Sequence, residues 1–216
     1  MRALHQLVGR YSRQEDVITG TSMAGRPLAE LSDMVGMFVT TVPVRSFPRH
    51  GISFRAFVEE MKQTMLNVHQ NSSYPLERLY EALNLRRGAG RHPLFDINFV
   101  MQNIDLDTFS AEGIVSQRRF IPTGTSKFDI SLAATEGNDT ISFKIDFRAD
   151  LYDRATIERF AGHFLMLLAD AGRNPDKPLA ELEILTPSER CQLLQEFNPK
   201  PTPLPDWQTV VEAFCR

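Results

Sequence analysis

Residues 128–147, FDISLAATEGNDTISFKIDF, alternate apolar and polar side chains on either side of Glu136-Gly137-Asn138-Asp139. That is the pattern of two antiparallel strands joined by a tight turn, with one face of the pair buried. Asp153 then serves as N-cap for a run with Ile157, Phe160, Ala161, Phe164, Leu167 and Leu168 at helical spacing, which stops near Gly172 and Pro175. A hairpin followed directly by an amphipathic helix calls for a sheet with helices packed on it. Upstream, residues 17–21, 37–44 and 94–100 read as strands rich in β-branched or aromatic residues, and residues 113–121 as a further one. Residues 3–11 read as a helix that reaches the first residue with no N-cap before it. Ser53 caps a clear helix whose Phe54, Phe57, Val58, Met61, Met65 and Val68 form one apolar stripe, read as core. Tyr74-Pro75 opens a shorter helix through Leu79 and Leu83. The expected fold class is α/β, an α+β sandwich with a mixed sheet flanked by helices.

The rest of the chain narrows the function classes. With 216 residues, 42% hydrophobic and 24% charged, it can bury a substantial core. Lys and Arg total 24 against 27 Asp and Glu, so no basic excess is available for a polyanion and nucleic acid is not indicated. No apolar run approaches the roughly 20 residues that span a bilayer, and the first residues, MRALHQLVGRYSRQED, carry no leader pattern, so a cytoplasmic location is expected. Cys191 and Cys215 are too few for a disulfide framework, and five scattered histidines give no metal motif. After Pro175 the composition shifts to a Pro-rich tail with one helix at residues 188–197 and an extended stretch at 198–206; residues 207–216 start a new apolar helical pattern.

Four features suggest chemistry when taken alone. Gly20-Thr21-Ser22-Met23-Ala24 approaches the G-x-S-x-G nucleophile elbow, but the second glycine is missing and Gly25-Arg26-Pro27 blocks an immediate helix. Gly124-Thr125-Ser126-Lys127 lacks the order of a phosphate-binding loop and reads as a turn before a strand. Arg86-Arg87 and Arg91-His92 form a small basic cluster able to meet a phosphate, or simply a solvated loop. Asp96 and Asp129 stand beside apolar strand residues, where a carboxylate is either an acid–base group or half of a salt bridge. No catalytic constellation follows from spacing.

Five ordered segments carry more. Tyr11-Ser12-Arg13-Gln14-Glu15-Asp16-Val17-Ile18-Thr19-Gly20-Thr21-Ser22-Met23-Ala24-Gly25-Arg26 resembles the YSxQEDxxxGxxxAGR motif of condensation domains of nonribosomal peptide synthetases at every fixed position. Val35-Gly36-Met37-Phe38-Val39-Thr40-Thr41-Val42-Pro43-Val44-Arg45 resembles the family's [IV]GxFVNTxxxR, and Tyr74-Pro75-Leu76-Glu77 resembles YPFE. Arg91-His92-Pro93-Leu94-Phe95-Asp96 resembles SRxPLFD, and Lys127-Phe128-Asp129-Ile130 the KFDL strand after it. Thr40 replaces the family asparagine, Ser73 the acidic residue before YPFE, Leu76 its phenylalanine, and Gly88-Ala89-Gly90 the expected D-x-S before Arg91.

The resemblance implies most of the C-terminal, chloramphenicol-acetyltransferase-like lobe of such a domain over residues 1–185, incomplete at its N-terminus. Residues 186–206 would be the Pro-rich linker and 207–216 the start of an adenylation domain. A complete domain joins a donor acyl thioester to an acceptor amine, each on the phosphopantetheine arm of a carrier protein, in a tunnel between two lobes. The resemblance places Gly20, Ser22, Gly25, Arg26, Gly36, Phe38 and Thr40 along that tunnel, its floor being residues 24–36, and Arg91 near a carrier-arm phosphate. The family's catalytic motif, HHxxxDG, is absent, since no two histidines are adjacent. Expected partners are therefore peptidyl and aminoacyl carrier proteins, an N-terminal lobe and a downstream adenylation domain, with phosphopantetheine arms as substrates and no directly bound cofactor, metal, nucleic acid or membrane. The alternative is a non-catalytic module that docks carrier proteins or a partner lobe.

Overall fold

The computed structural model describes residues 1–26, 28–85, 92–102, 110–111, 114–115, 124–137 and 139–198. Its elements follow in the order α1 (Arg2–Ser12), β1 (Val17–Ala24), β2 (Val39–Ser46), α2 (Phe54–Gln70), α3 (Leu76–Ala82), β3 (Ile97–Gln102), β4 (Ser110–Ala111), β5 (Ile114–Val115), β6 (Ile130–Glu136), β7 (Ile141–Phe147), α4 (Arg154–Arg173) and α5 (Pro187–Cys191). Five strands form one mixed sheet in the order β2-β1-β3-β6-β7, with β1–β3 and β3–β6 parallel and both outer pairs antiparallel. β4 and β5 pair with each other apart from it. The hairpin read from residues 128–147 is β6–β7, registered from Ile130↔Phe147 to Glu136↔Ile141.

α1, α2 and α4 cover one face of this sheet. Ala3, Leu4 and Leu7 of α1 meet Phe99 of β3, Leu132 and Ala134 of β6, and Phe160, Phe164 and Leu167 of α4. A second cluster joins Val44 of β2, Phe57 and Met61 of α2, and Ala171, Leu179 and Leu182. Each Val, Leu, Phe or Met among them gains about 1.5–3 kcal/mol by leaving water. In the expected core stripe of α2, Phe57 and Met61 are buried and Phe54, Met65 and Val68 pack partly buried against the second cluster, while Phe54, Val58 and Met65 also line an apolar groove of about 410 Å³ beside α4 and the sheet.

Element edges depart from the sequence reading where side-chain packing intervenes. β3 starts at Ile97 rather than 94, because the Phe95 ring turns back over β1. β2 starts at Val39 rather than 37, and the helix expected over residues 188–197 splits into α5, held by a Thr186–Glu189 capping box, and a π-helical turn at Gln192–Glu196. Of the strand expected at 113–121 only Ile114–Val115 lies among the described residues; the turn residue Asn138 and residues 207–216 lie outside them.

The segment after α4 packs back on α1 and α2. Phe54 N–H donates to Lys177 O, Leu179 N–H to Ile52 O and Ala180 N–H to His50 O, while Arg10 and Gln6 of α1 donate to Leu179 O at 2.6 and 2.9 Å. Asp170 accepts from Glu183 N–H, Lys177 and Asn174, and these bonds hold its carboxyl down to about 2. Further on, Tyr11, His163 and Glu189 form a chain. Glu189 can only accept, so His163 Nε2 donates to it at 2.9 Å and Nδ1 accepts the Tyr11 hydroxyl at 2.7 Å. Burial raises the Glu189 carboxyl, but the Thr186 hydroxyl and N–H together with His163 bring it below its ordinary value. α1, α4 and α5 are thereby tied at one point.

Candidate functional site

The sheet face away from the helices carries small polar side chains, and alternation puts them there. Register aligns Ser22 with Thr41 and sets Asn98 between Gly20 and Ser131, with Asp146 beyond Ser131. Ser22, Thr41, Asn98, Ser131, Lys144 and Asp146 floor a cleft of about 610 Å³. Residues 124–128 form one wall, and Met37 and Val39 stand on the opposite rim. Lys144 pairs with Asp146 at 2.8 Å. Asn98, 5% exposed, is the deepest polar group of the floor, and its Oδ1 has no hydrogen-bond partner among the described residues.

Of the tunnel residues named from sequence, Ser22 lines this cleft directly. Gly20 instead makes room for packing: a Cβ there would fall 2.1 Å from Phe95 Cε2, and Phe95 in turn stacks on His92 at 3.8 Å between centroids. Gly25, Arg26, Gly36 and Phe38 act together to shape the loop between β1 and β2. Gly25 N–H donates to Phe38 O at 2.8 Å, where any Cβ would strike the same oxygen. The Arg26 guanidinium lies 4.1 Å over the Phe38 ring and donates to the carbonyls of Leu31, Ser32 and Met34. This arrangement presents Val35 and Met37 almost wholly to solvent. Thr40 pairs with Met23 and has the opposite parity to Thr41, the threonine that lines the cleft. Arg91, with Arg86 and Arg87, lies outside the described residues.

The isolated chemical motifs resolve into structural roles. Ser22 sits within β1 rather than on a strand-to-helix turn, so it is no nucleophile elbow. Gly124, at φ +70°, opens the loop that walls the cleft and leads into β6. Asp129 is buried and pairs with Arg148 at 3.4 Å, and exposed Asp96 contributes its carbonyl to the N–H groups of Asp129 and Ile130. Among the described residues no group of three or more His, Cys, Asp or Glu is placed to hold a metal, and no helix is long and apolar enough to cross a membrane.

Sequence reasoning missed Thr41, Asn98 and Ser131. The available signal was parity, since Asn98 and Ser131 are polar interruptions in Ile97-Asn98-Phe99 and Ile130-Ser131-Leu132, at positions that alternate with buried residues.

The family model described as "Condensation domain" matches residues 1–194. Tyrocidine synthase 3 of Brevibacillus parabrevis is 37% identical over 214 residues, 99% of this chain and 3% of the synthase. Bacitracin synthase 3 of Bacillus licheniformis is 35% identical over 208 residues, 96% of this chain and likewise 3% of the synthase. The chain thus spans a small fraction of these relatives. Among solved structures, the X-domain from teicoplanin biosynthesis superposes with a TM-score of 0.74 at 25% identity, covering 85% of this chain and 43% of that one. The first condensation domain of the CDA synthetase gives 0.69 at 19%, covering 86% and 41%, which shows the shared fold. With its motifs in order, its sheet matched and its family model covering nine-tenths of its length, this chain belongs to the condensation-domain family of nonribosomal peptide synthetases.

Proposed function

We propose that this chain forms one wall of the channel in which a carrier-bound acyl thioester is attacked by the amine of a carrier-bound aminoacyl thioester. The amine nitrogen forms a C–N bond to the thioester carbonyl, the C–S bond breaks, the donor arm leaves as a thiol, and the amine gives up the balancing proton. The chain's contribution is positional: holding two arms in register turns a bimolecular aminolysis into a local one. The polar cleft carries this reading, because hydroxyls and an amide around one Lys144–Asp146 pair suit an uncharged, amide-bearing chain such as the pantetheine part of a phosphopantetheine arm. The loop ordered by Arg26 and Phe38 borders the rim of the cleft through Met37. Arg91 steers the arm's phosphate.

With no adjacent histidine pair in the chain, positioning or deprotonation of the amine falls to a lobe bearing HHxxxDG. In this reading residues 1–185 are lobe, 186–206 linker and 207–216 the beginning of an adenylation domain, and the partners are that second lobe and the two carrier proteins. The test mixes this chain with a polypeptide supplying the HHxxxDG lobe and with carriers loaded with acyl and aminoacyl groups. Peptide is expected only when both lobes are present. Product from this chain alone refutes the division of labour, and none from the pair refutes the reading.

The open groove along Phe54, Val58 and Met65 favours a second reading, a docking module that binds a partner lobe without turnover. Binding of that lobe without product from the pair would select it.

A further inference from the structure

The geometry points to Asn98 as a substrate-contacting residue, its side-chain oxygen accepting a hydrogen bond from an N–H of the group that occupies the polar cleft. This deepens the proposed channel and rests on it.

β3 is the central strand, held in parallel by β1 on one side and β6 on the other, so Asn98 cannot shift to find a partner without breaking the ladder. Its neighbour across β1 is Gly20, which has no side chain to offer, and its neighbour across β6 is Ser131, whose hydroxyl makes no hydrogen bond to it. The residue is 5% exposed, yet among the described residues its Oδ1 has no hydrogen-bond partner. A buried polar atom without a partner destabilises a fold, and native structures keep few of them. Here the side chain that carries the atom lines the floor of a cavity of about 610 Å³, large enough for an extended chain. The missing partner has to be a donor, because an amide oxygen only accepts. Two donors share that chemistry: an amide N–H of a pantetheine arm and the ammonium of an aminoacyl group.

The test compares the 216-residue chain with its Asn98→Leu variant, which keeps the branching at Cγ and removes the acceptor. Titration calorimetry uses two probes, pantetheine and a glycyl-aminopantetheine whose amide link resists hydrolysis. The variant is expected to bind about tenfold more weakly, the loss of one hydrogen bond, with its melting temperature unchanged or raised, since an unpartnered polar atom has been removed. Equal weakening for both probes assigns the bond to the arm; weakening for the glycyl probe alone assigns it to the ammonium. Unchanged affinity overturns the proposal, as does failure of the parent chain to bind either probe. A melting temperature lowered by several degrees also overturns it, because Asn98 would then have a structural partner. Peptide formation by the two-lobe mixture is a separate readout, so this proposal and the channel reading can fail independently.

Discussion

Lowering the pH from 7.5 to 4.5 should remove roughly 3 kcal/mol of stability through His5 alone. This side chain of α1 is 0% exposed, with Nδ1 2.6 Å from Ser46 Oγ and Nε2 2.7 Å from Thr19 Oγ1. A neutral imidazole satisfies both hydroxyls, donating to one and accepting from the other. Burial first, and then the Met1 ammonium, push its pKa from 6.5 down to about 3. The unfolded chain therefore takes up a proton that the folded chain refuses. The stabilisation is complete above pH 6.5 and declines as pH falls towards 3, at about 1.4 kcal/mol per unit. Two units below 6.5, at pH 4.5, give the roughly 3 kcal/mol. The Met1 ammonium, lowered to about 5 chiefly by burial, titrates in an overlapping window, so the measurement must be differential. Urea unfolding of the parent and of His5→Asn across this pH range supplies it. The variant should start about 1–3 kcal/mol less stable at pH 7.5, because it leaves one hydroxyl without its partner. The two curves should then converge on acidification. Parallel curves would refute the argument, since they would mean that His5 is protonated to the same extent in both states.

Three further perturbations test other parts of the fold. Gly20→Ala should cost about 1–3 kcal/mol in denaturant melts, because the new methyl overlaps the Phe95 ring and displaces it from His92; an unchanged midpoint would contradict the packing described. Arg26→Ala should raise proteolytic cleavage within residues 28–36 several-fold, and Arg26→Lys should fail to restore protection, since a point charge cannot donate to three carbonyls while stacking on Phe38. The groove beside α2 should enhance the fluorescence of an apolar dye, and Val58→Glu should abolish that signal while the melting temperature stays within a few degrees.

Local signals carried much of the architecture. The β6–β7 hairpin, the Ser53 cap of α2 and the stripe of α4 depend on neighbouring residues, and all three stand where the periodicity puts them. The strand order, with β3 inserted between β1 and β6, depends on pairings of residues nearly eighty positions apart, and no local pattern encodes it. The cleft was half legible for a related reason. Motif resemblance singled out Ser22 and the Arg26–Phe38 loop, but it favoured Thr40 over Thr41, and only the register with β1 decides which of two adjacent threonines faces the cavity. Gly20 shows a different limit: a glycine kept free for a ring arriving from Phe95 looks in sequence like a glycine kept free for a ligand.

The fixed segment after α4 bears on how such polypeptides are cut and rejoined. Pro175 and Pro178 invite a junction, since prolines advertise a linker, but Leu179 and Leu182 beyond them are buried and α1 reaches them through Arg10. A splice there would open the core and strip a guanidinium of its carbonyls. A splice between residues 183 and 188 would spare the core yet separate Glu189 from His163. The described contacts with α1 and α4 run on as far as Glu189 of α5, so exchanged modules should be joined C-terminal to Cys191, and the exchange partner should inherit Tyr11, His163 and Glu189 as a set.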